Sequence, residues 1–364
     1  MYSDEFFSRM QTAALKRWRD VEAITGKELL QKNGLLFYGE DTGETVEGSV
    51  LGAKKTMESL GLPHKFYATG DEIADAFPAL EGCRGQPYSG VQEDTAGHIR
   101  ASKACAAMVE AAGDKCQVLV NTKVESLSVN DDRELPRIQA VTQDGKAILA
   151  DSCVIAAGPW TNEVLGMAGL PQLDLKLWQI QWCHYKVEDK DVAASIPQAF
   201  FFRKPESELD GGLYYVFPAS ATECMGEDDS ASYVKVGVDF RTGDELDNMK
   251  NFDYKGSTDV LKLMDEWVQE HLPGVGERVD AYTSPYTMTD DSYFVVDNIC
   301  EGVSIFSGGS GRAFKFGPLL GDCLASLVID EVSPVDLTRF AWNRNGPLTL
   351  DADALDSDAI PTEV

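Results

Sequence analysis

Two short stretches carry residue types that could do chemistry. The first is SGGSGRAFKFG at 307–317. It follows the apolar, strand-like run VSIF and precedes FGPLLGDCLASLVI, which reads as a helix. At such a turn the free amides and the helix dipole favour an anion, and Lys315 adds a positive charge at the same end. Gly308, Gly309 and Gly311 do not form GxGxxG, because Phe314 stands where the third glycine would be. No GK[ST] follows, so the stretch is not a P-loop either. From the residues alone, a plain tight turn and a solvated surface lysine remain alternatives. The second stretch is SYVKVGVDF at 232–240. Alternation places Tyr233, Lys235 and Gly237 on one strand face and Val234, Val236 and Val238 on the other. Lys235 then lies on a wet face or points into a functional cavity.

The elements that must position these residues can be read from periodicity. Helical spacing of Phe7, Met10, Ala14, Trp18 and Val21 predicts a helix over 4–25, with Ser3 as its cap and Gly26 as its stop. A strand is expected at 34–39 and helices at 49–61 and 70–80, the latter ended by Pro78. Ser102 is the expected cap of a helix reaching Glu110. The stretch 116–129 reads as a strand pair. A hairpin follows, with Asp144-Gly145 as a type I′ turn. VIAAG at 154–158 reads as a buried strand with neighbours on both sides. Residues 171–290 are rich in aromatic and β-branched residues and predict an antiparallel sheet with a helix at 256–271. The last part returns to α/β. The fold class is therefore α/β plus antiparallel β, in two domains that the chain enters more than once. One domain takes 1–31, 96–170 and 291–345, and the other 32–95 and 171–290. An acidic tail, 346–364, reads as disordered.

Composition excludes several classes. With 32 basic and 60 acidic residues the chain carries a net charge of −28, which repels phosphate backbones and argues against nucleic-acid binding. No apolar run is long enough to span a bilayer, and MYSDEFF lacks the basic start of a secretory signal. Neither the eight cysteines nor the four histidines show zinc-ligand spacing. The thiols read as small core residues in a reducing, cytoplasmic setting.

Several segments together carry a resemblance. They are SGVQEDTAGHIRASKACAAM (89–108), VNTKVESL (120–127), VIAAGPWTNEVL (154–165), GGLYYVFP (211–218), YVKVGVDF (233–240), PYTMTDDSYFVVD (285–297) and SGRAFKF (310–316). In this order they resemble the FAD-dependent amine oxidases of the D-amino-acid oxidase superfamily, over about residues 2–345. Within it they are most similar to the branch of monomeric sarcosine and N-methyltryptophan oxidases. The resemblance implies an FAD-binding, Rossmann-like domain interleaved with an antiparallel-sheet substrate domain. It implies Lys235 as the lysine that activates O2, Tyr215 near the substrate carboxylate and Lys315 as that carboxylate's partner. It implies flavin contacts at Val124, Gly158, Trp160, Gly311, Arg312 and Phe314, besides Lys315.

The sequence departs from the family in three ways. It holds no strand–GxGxxG–helix unit, which the resemblance implies ahead of residue 1, so FAD binding by residues 1–364 alone is expected to be weak and the amine oxidase activity absent. Ser284 stands where the covalent-flavin branch has a cysteine, so any FAD is expected to be non-covalent. Arg312 and Asp239 occupy active-site histidine positions, so the family's substrates do not transfer. The implied activity is oxidation of the C–N bond of a secondary or N-alkyl amino acid, with O2 as acceptor and hydrogen peroxide as product. The alternatives are a non-catalytic remnant or binding subunit of the same fold and, more remotely, a nicotinamide dehydrogenase.

Overall fold

The structure is a computed structural model that describes residues 2–43, 47–130, 136–219 and 232–344. The acidic tail at 346–364 and Cys224 lie outside the described residues. In chain order the strands begin with β1 (Leu30–Lys32), β2 (Leu35–Gly39), β3 (Lys65–Tyr67), β4 (Ser89–Glu93) and β5 (Gly97–Ile99). Next come β6 (Val124–Val129), β7 (Ile138–Thr142), β8 (Ala147–Ala150), β9 (Cys153–Ile155) and β10 (Lys176–Val187). The last are β11 (Ala199–Phe202), β12 (Leu213–Phe217), β13 (Ser232–Val238), β14 (Arg278–Met288), β15 (Val295–Cys300) and β16 (Val303–Ser307). The helices are α1 (Glu5–Thr25), α2 (Val50–Ser59), α3 (Gly70–Ala76), α4 (Ala101–Ala112), α5 (Thr161–Met167), α6 (Lys190–Ser195), α7 (Thr258–His271) and α8 (Gly317–Val328).

The alternating apolar residues of the middle of the chain close an eight-stranded sheet, in the order β14-β10-β13-β12-β11-β2-β4-β3. Its neighbours are antiparallel except for β11 and β2, which run parallel. Val234, Val236 and Val238 are fully buried on one face of β13, with Met264 and Trp267 of α7 in the same core. Each such side chain contributes roughly 1.5–3 kcal/mol on burial, which fixes the register and leaves Lys235 on the opposite face. The stripe Phe7, Met10, Ala14 and Trp18 puts one side of α1 into the interior, and Phe7 and Met10 share a core with Phe294, Phe316 and Leu319 of the C-terminal segment. Two three-stranded sheets, β15-β16-β9 and β6-β7-β8, and the two-stranded sheet β1-β5 complete the sheets of the described residues.

Several local expectations change. The cap of α1 is Asp4 rather than Ser3: its carboxylate accepts from the Phe6 amide at 2.8 Å, while Ser3 packs against the loop at Gly48 and Ser49. Arg100, not Ser102, precedes α4, and no side chain caps that helix. α3 stops at Ala76, with Phe77 out of helical conformation ahead of Pro78, and Pro78 opens a separate 3-10 turn that takes in residues 78–80 of the expected helix. Residues 116–123 form no strand: the Lys123 carbonyl accepts from the Gln143 amide at 2.8 Å, but no described ladder extends through 116–122, where Val118, Leu119 and Val120 are exposed. The hairpin forms, but Asp144 keeps a negative φ and only Gly145 is left-handed, at φ 78°. The Gly145 amide donates to the Thr142 carbonyl, so the connection is a type I turn closed by a left-handed glycine. β9 pairs with β16 alone, as an edge strand with Val154 exposed, not as a strand flanked on both sides. The thiols also divide: Cys83, Cys183 and Cys323 are core residues, whereas Cys105 and Cys116 are exposed.

Candidate active site

β9 and β16 run parallel, and both feed from their carboxyl ends into glycine turns that open helices. Ligands in α/β sheets gather at such strand ends. The Ser307 hydroxyl donates to the Thr161 hydroxyl at 3.1 Å and ties the two turns together. Gly158, at φ 53°, has open space where a Cβ would stand, and Trp160 and Phe314 are exposed. The end of β14 crosses the second turn. The Ser310 amide donates to the Thr287 carbonyl at 2.9 Å, and the Tyr286 ring fills the space that a Cβ on Gly311 would need. Open backbone at Gly158, exposed rings at Trp160 and Phe314 and the nearby cations Lys315 and Arg312 suit a large planar group that gains negative charge on reduction, so the residues present fit the flavin end of FAD.

The N-terminus of α1 brings Tyr2 beside Lys315. The Lys315 ammonium donates to the Tyr2 hydroxyl at 2.7 Å and lies 3.8 Å from the carboxylate of Glu47, which is 4 % exposed. Burial disfavours the lysine's charge, yet Glu47 and then Tyr2 outweigh it and hold its pKa above the ordinary lysine range. At an effective dielectric constant of 20, attraction at this distance amounts to about 4 kcal/mol, which is enough to reverse the burial effect. Burial, with help from Glu47, pushes the Tyr2 hydroxyl up to about 12. Asp239 belongs to the same cluster. Burial first, and Glu47 next, push its carboxyl up to about 7, against the opposing pull of Lys315, the Tyr286 hydroxyl and Arg312. Tyr215 is raised by burial and by Asp239, and its ring lies across Gly237, where a Cβ would come within 2.2 Å of it. A cavity of about 550 Å³ adjoins the cluster, lined in part by Tyr2, Phe7, Gly48, Lys55, Asp291 and Arg312. Lys315 borders a second cavity of about 140 Å³ beside α1; Lys235 and Tyr215 line neither.

Lys235 stands in a different setting. Its ammonium lies 4.2 Å from the centre of the Trp182 ring, 5.6 Å from Phe217 and 5.8 Å from Tyr215. Trp182 in turn stacks on Tyr282 at 4.3 Å, and its indole N–H donates to the Ser284 hydroxyl at 3.4 Å. Cation–π attraction supplies about 0.5–2 kcal/mol. That does not offset burial, and the Lys235 pKa falls to about 8.

Of the residues that the sequence singles out, Lys315, Gly311 and Arg312 gather at the end of β14, whereas Lys235, over Trp182, lies across from its first half and reaches them only by way of Tyr215 and Asp239. The Arg312 guanidinium lies over the Phe7 ring at 4.4 Å and donates to the Ser292 carbonyl. Gly158 and Trp160 form the turn after β9, and Phe314 packs against Trp18 on the α1 side. Val124 opens β6 in the other three-stranded sheet, and no described contact joins it to the cluster. Glu47, Tyr286 and Tyr2 were missed. Glu47 sits in a loop with no periodicity, and only the fold brings it to Lys315.

The profile of the family DAO, FAD dependent oxidoreductase, matches residues 2–327, and the chain belongs to this family of oxidoreductases. The chain is 27% identical over 359 residues to peroxisomal sarcosine oxidase of Mus musculus, covering 96% of this chain and 84% of that protein. It is 24% identical over 331 residues to N-methyl-L-tryptophan oxidase of Yersinia pestis (strain Pestoides F), covering 90% and 81%. Among solved structures it shares its fold with NikD, an unusual amino acid oxidase essential for nikkomycin biosynthesis. The TM-score is 0.78 at 23% identity, with 94% and 84% covered. No helix among the described residues is long and apolar enough to cross a membrane.

Proposed function

We propose that the protein is an FAD-dependent oxidase of a secondary or N-alkyl amino acid, using O2 and releasing hydrogen peroxide. The observation that carries this reading is the chain of electrostatic neighbours from Lys315 through Asp239 and Tyr215 to Lys235. It sets a carboxylate-binding cation and a titratable carboxyl near one end of β13 and a second cation further along the same strand. The names of the two relatives, oxidases of sarcosine and N-methyltryptophan, support the substrate class.

In this reading residues 32–95 and 171–290 hold the substrate, and 1–31, 96–170 and 291–345 hold the flavin. Gly158, Trp160, Gly311, Arg312 and Phe314 would hold the ring system, with Val124 toward its other end. Bound FAD would supply the redox chemistry, accepting two electrons as a hydride from the carbon next to the amine nitrogen and returning them to O2, while water would hydrolyse the imine product. Lys315 and Tyr215 orient the substrate carboxylate. Asp239, with a pKa near neutrality, takes the ammonium proton so that the nitrogen lone pair is free. Lys235 places a positive charge where negative charge develops on oxygen.

The FAD-loaded protein, in a form that also supplies the strand–GxGxxG–helix unit implied by the resemblance, is mixed anaerobically with sarcosine and other N-methyl amino acids. Bleaching of the visible flavin band, followed by hydrogen peroxide release on admitting O2, is the expected result; a flavin that no amino acid bleaches sinks the reading. Because Ser284 offers a hydroxyl in place of a thiol, acid precipitation is expected to release all the colour into solution. Colour retained in the pellet contradicts non-covalent binding.

A further inference from the structure

Glu47 is out of place in a site that receives a carboxylate. Its own carboxylate is buried and faces the ammonium of Lys315, the group that the substrate carboxylate needs. The 3.8 Å separation is longer than the 2.7–2.9 Å of a closed, charge-assisted hydrogen bond, so the pair is engaged but not locked. The short bond of Lys315 goes to Tyr2 instead, at 2.7 Å. Asp239 places a second carboxyl group within electrostatic reach of both Glu47 and Lys315. Arg312 is turned onto Phe7 and the Ser292 carbonyl. The adjoining cavity, about 550 Å³, is within the range of small-molecule pockets.

Resting on the reading above, we propose that Glu47 is a specificity-determining residue that restricts the site to substrates bearing a cationic nitrogen beside their carboxylate. A bare carboxylate that takes Lys315 strips Glu47 of its counter-ion and leaves a buried charge unpaired, which rejects it. A zwitterion exchanges partners instead: its carboxylate takes Lys315, and its ammonium faces Glu47 and Asp239. Every charge is then matched before and after binding. Discrimination arises from the cost of the wrong ligand as much as from contacts to the right one.

The test uses two probes of the same shape, trimethylglycine and 3,3-dimethylbutanoate. They differ only in whether a cationic nitrogen or a neutral carbon stands beside the carboxylate arm, and neither has an oxidisable amine. Calorimetric titration of the same FAD-loaded protein is expected to give a dissociation constant for trimethylglycine that is lower by about tenfold or more, a difference of about 1.4 kcal/mol. In Glu47→Gln the preference is expected to shrink to less than about threefold, mainly through tighter binding of the neutral probe. The wild-type ratio stands without any variant, so a misfolded Glu47→Gln does not remove the test. Equal binding of the two probes by the wild type overturns the inference, and so does an undiminished preference in a folded Glu47→Gln. If either occurs while sarcosine still bleaches the flavin, the oxidase reading survives alone. If neither probe binds and no amino acid bleaches the flavin, both fall together.

Discussion

Lys315 and Lys235, the two cations of the proposed site, lie in neighbourhoods that act on them in opposite directions. Lys315 has Glu47 at 3.8 Å and the Tyr2 hydroxyl at 2.7 Å, and it holds its proton more firmly than an ordinary lysine. Lys235 has the faces of Trp182, Phe217 and Tyr215, and its pKa falls to about 8. Both ammonium groups lose water to burial, so the difference comes from what replaces it. An anion returns more than burial removes, and an aromatic face returns less. One cation is thus fixed in its charge, as ligand binding requires. The other sits close to its titration point, as suits a charge that acts only when electrons move.

The largest expected effect tests the Lys235 side. Lys235→Met is expected to leave anaerobic flavin reduction nearly intact and to slow reoxidation by O2 by about 10²–10³-fold in stopped-flow measurements. Equal losses in both half-reactions would give Lys235 a structural role and dissolve the contrast. The next effect, about tenfold per pH unit, sharpens it. Because the ammonium is the active form, reoxidation by the wild type is expected to fall as pH rises through about 8. Lys235→Arg keeps its charge at every accessible pH and is expected to flatten that profile. The smallest effect belongs to the other side. The folded-state pKa of Asp239, about 7, lies above the ordinary aspartate value of 3.8. Its stabilising contribution is therefore complete below about pH 4 and is lost as pH rises toward 7, where the buried carboxyl ionises. Asp239→Asn removes that ionisation. It is expected to raise the melting temperature, relative to wild type, by about a degree or two more at pH 8 than at pH 5, measured by scanning fluorimetry.

The sequence revealed the elements wherever one face is buried over several turns or strand residues. The stripe from Phe7 to Trp18 marks α1, and the alternation of Val234, Val236 and Val238 marks β13 and correctly puts Lys235 on the other face. It failed where pairing decides. Residues 116–122 alternate well but join no strand ladder, and VIAAG, which reads as a strand that needs two neighbours, has one in this chain. At the hairpin, Asp144-Gly145 announced a turn, but the bond from the Gly145 amide to the Thr142 carbonyl selects a different type. Within the site, Lys235, Tyr215 and Lys315 were legible through family resemblance. Glu47 and Tyr2 were not, since neither lies in a motif and both acquire meaning only by packing against residue 315.

The hydrogen bond from Lys315 to Tyr2 spans 313 residues of sequence. On a ribosome adding 5–20 residues per second, the tyrosine is made roughly 15–60 s before its partner. During that interval α1 has its apolar stripe but not Phe294, Phe316 or Leu319 to bury it against. The apolar stripe of α1 thus lacks these partners until the C-terminal segment arrives, and Lys315 is among the last parts of the candidate site to be assembled.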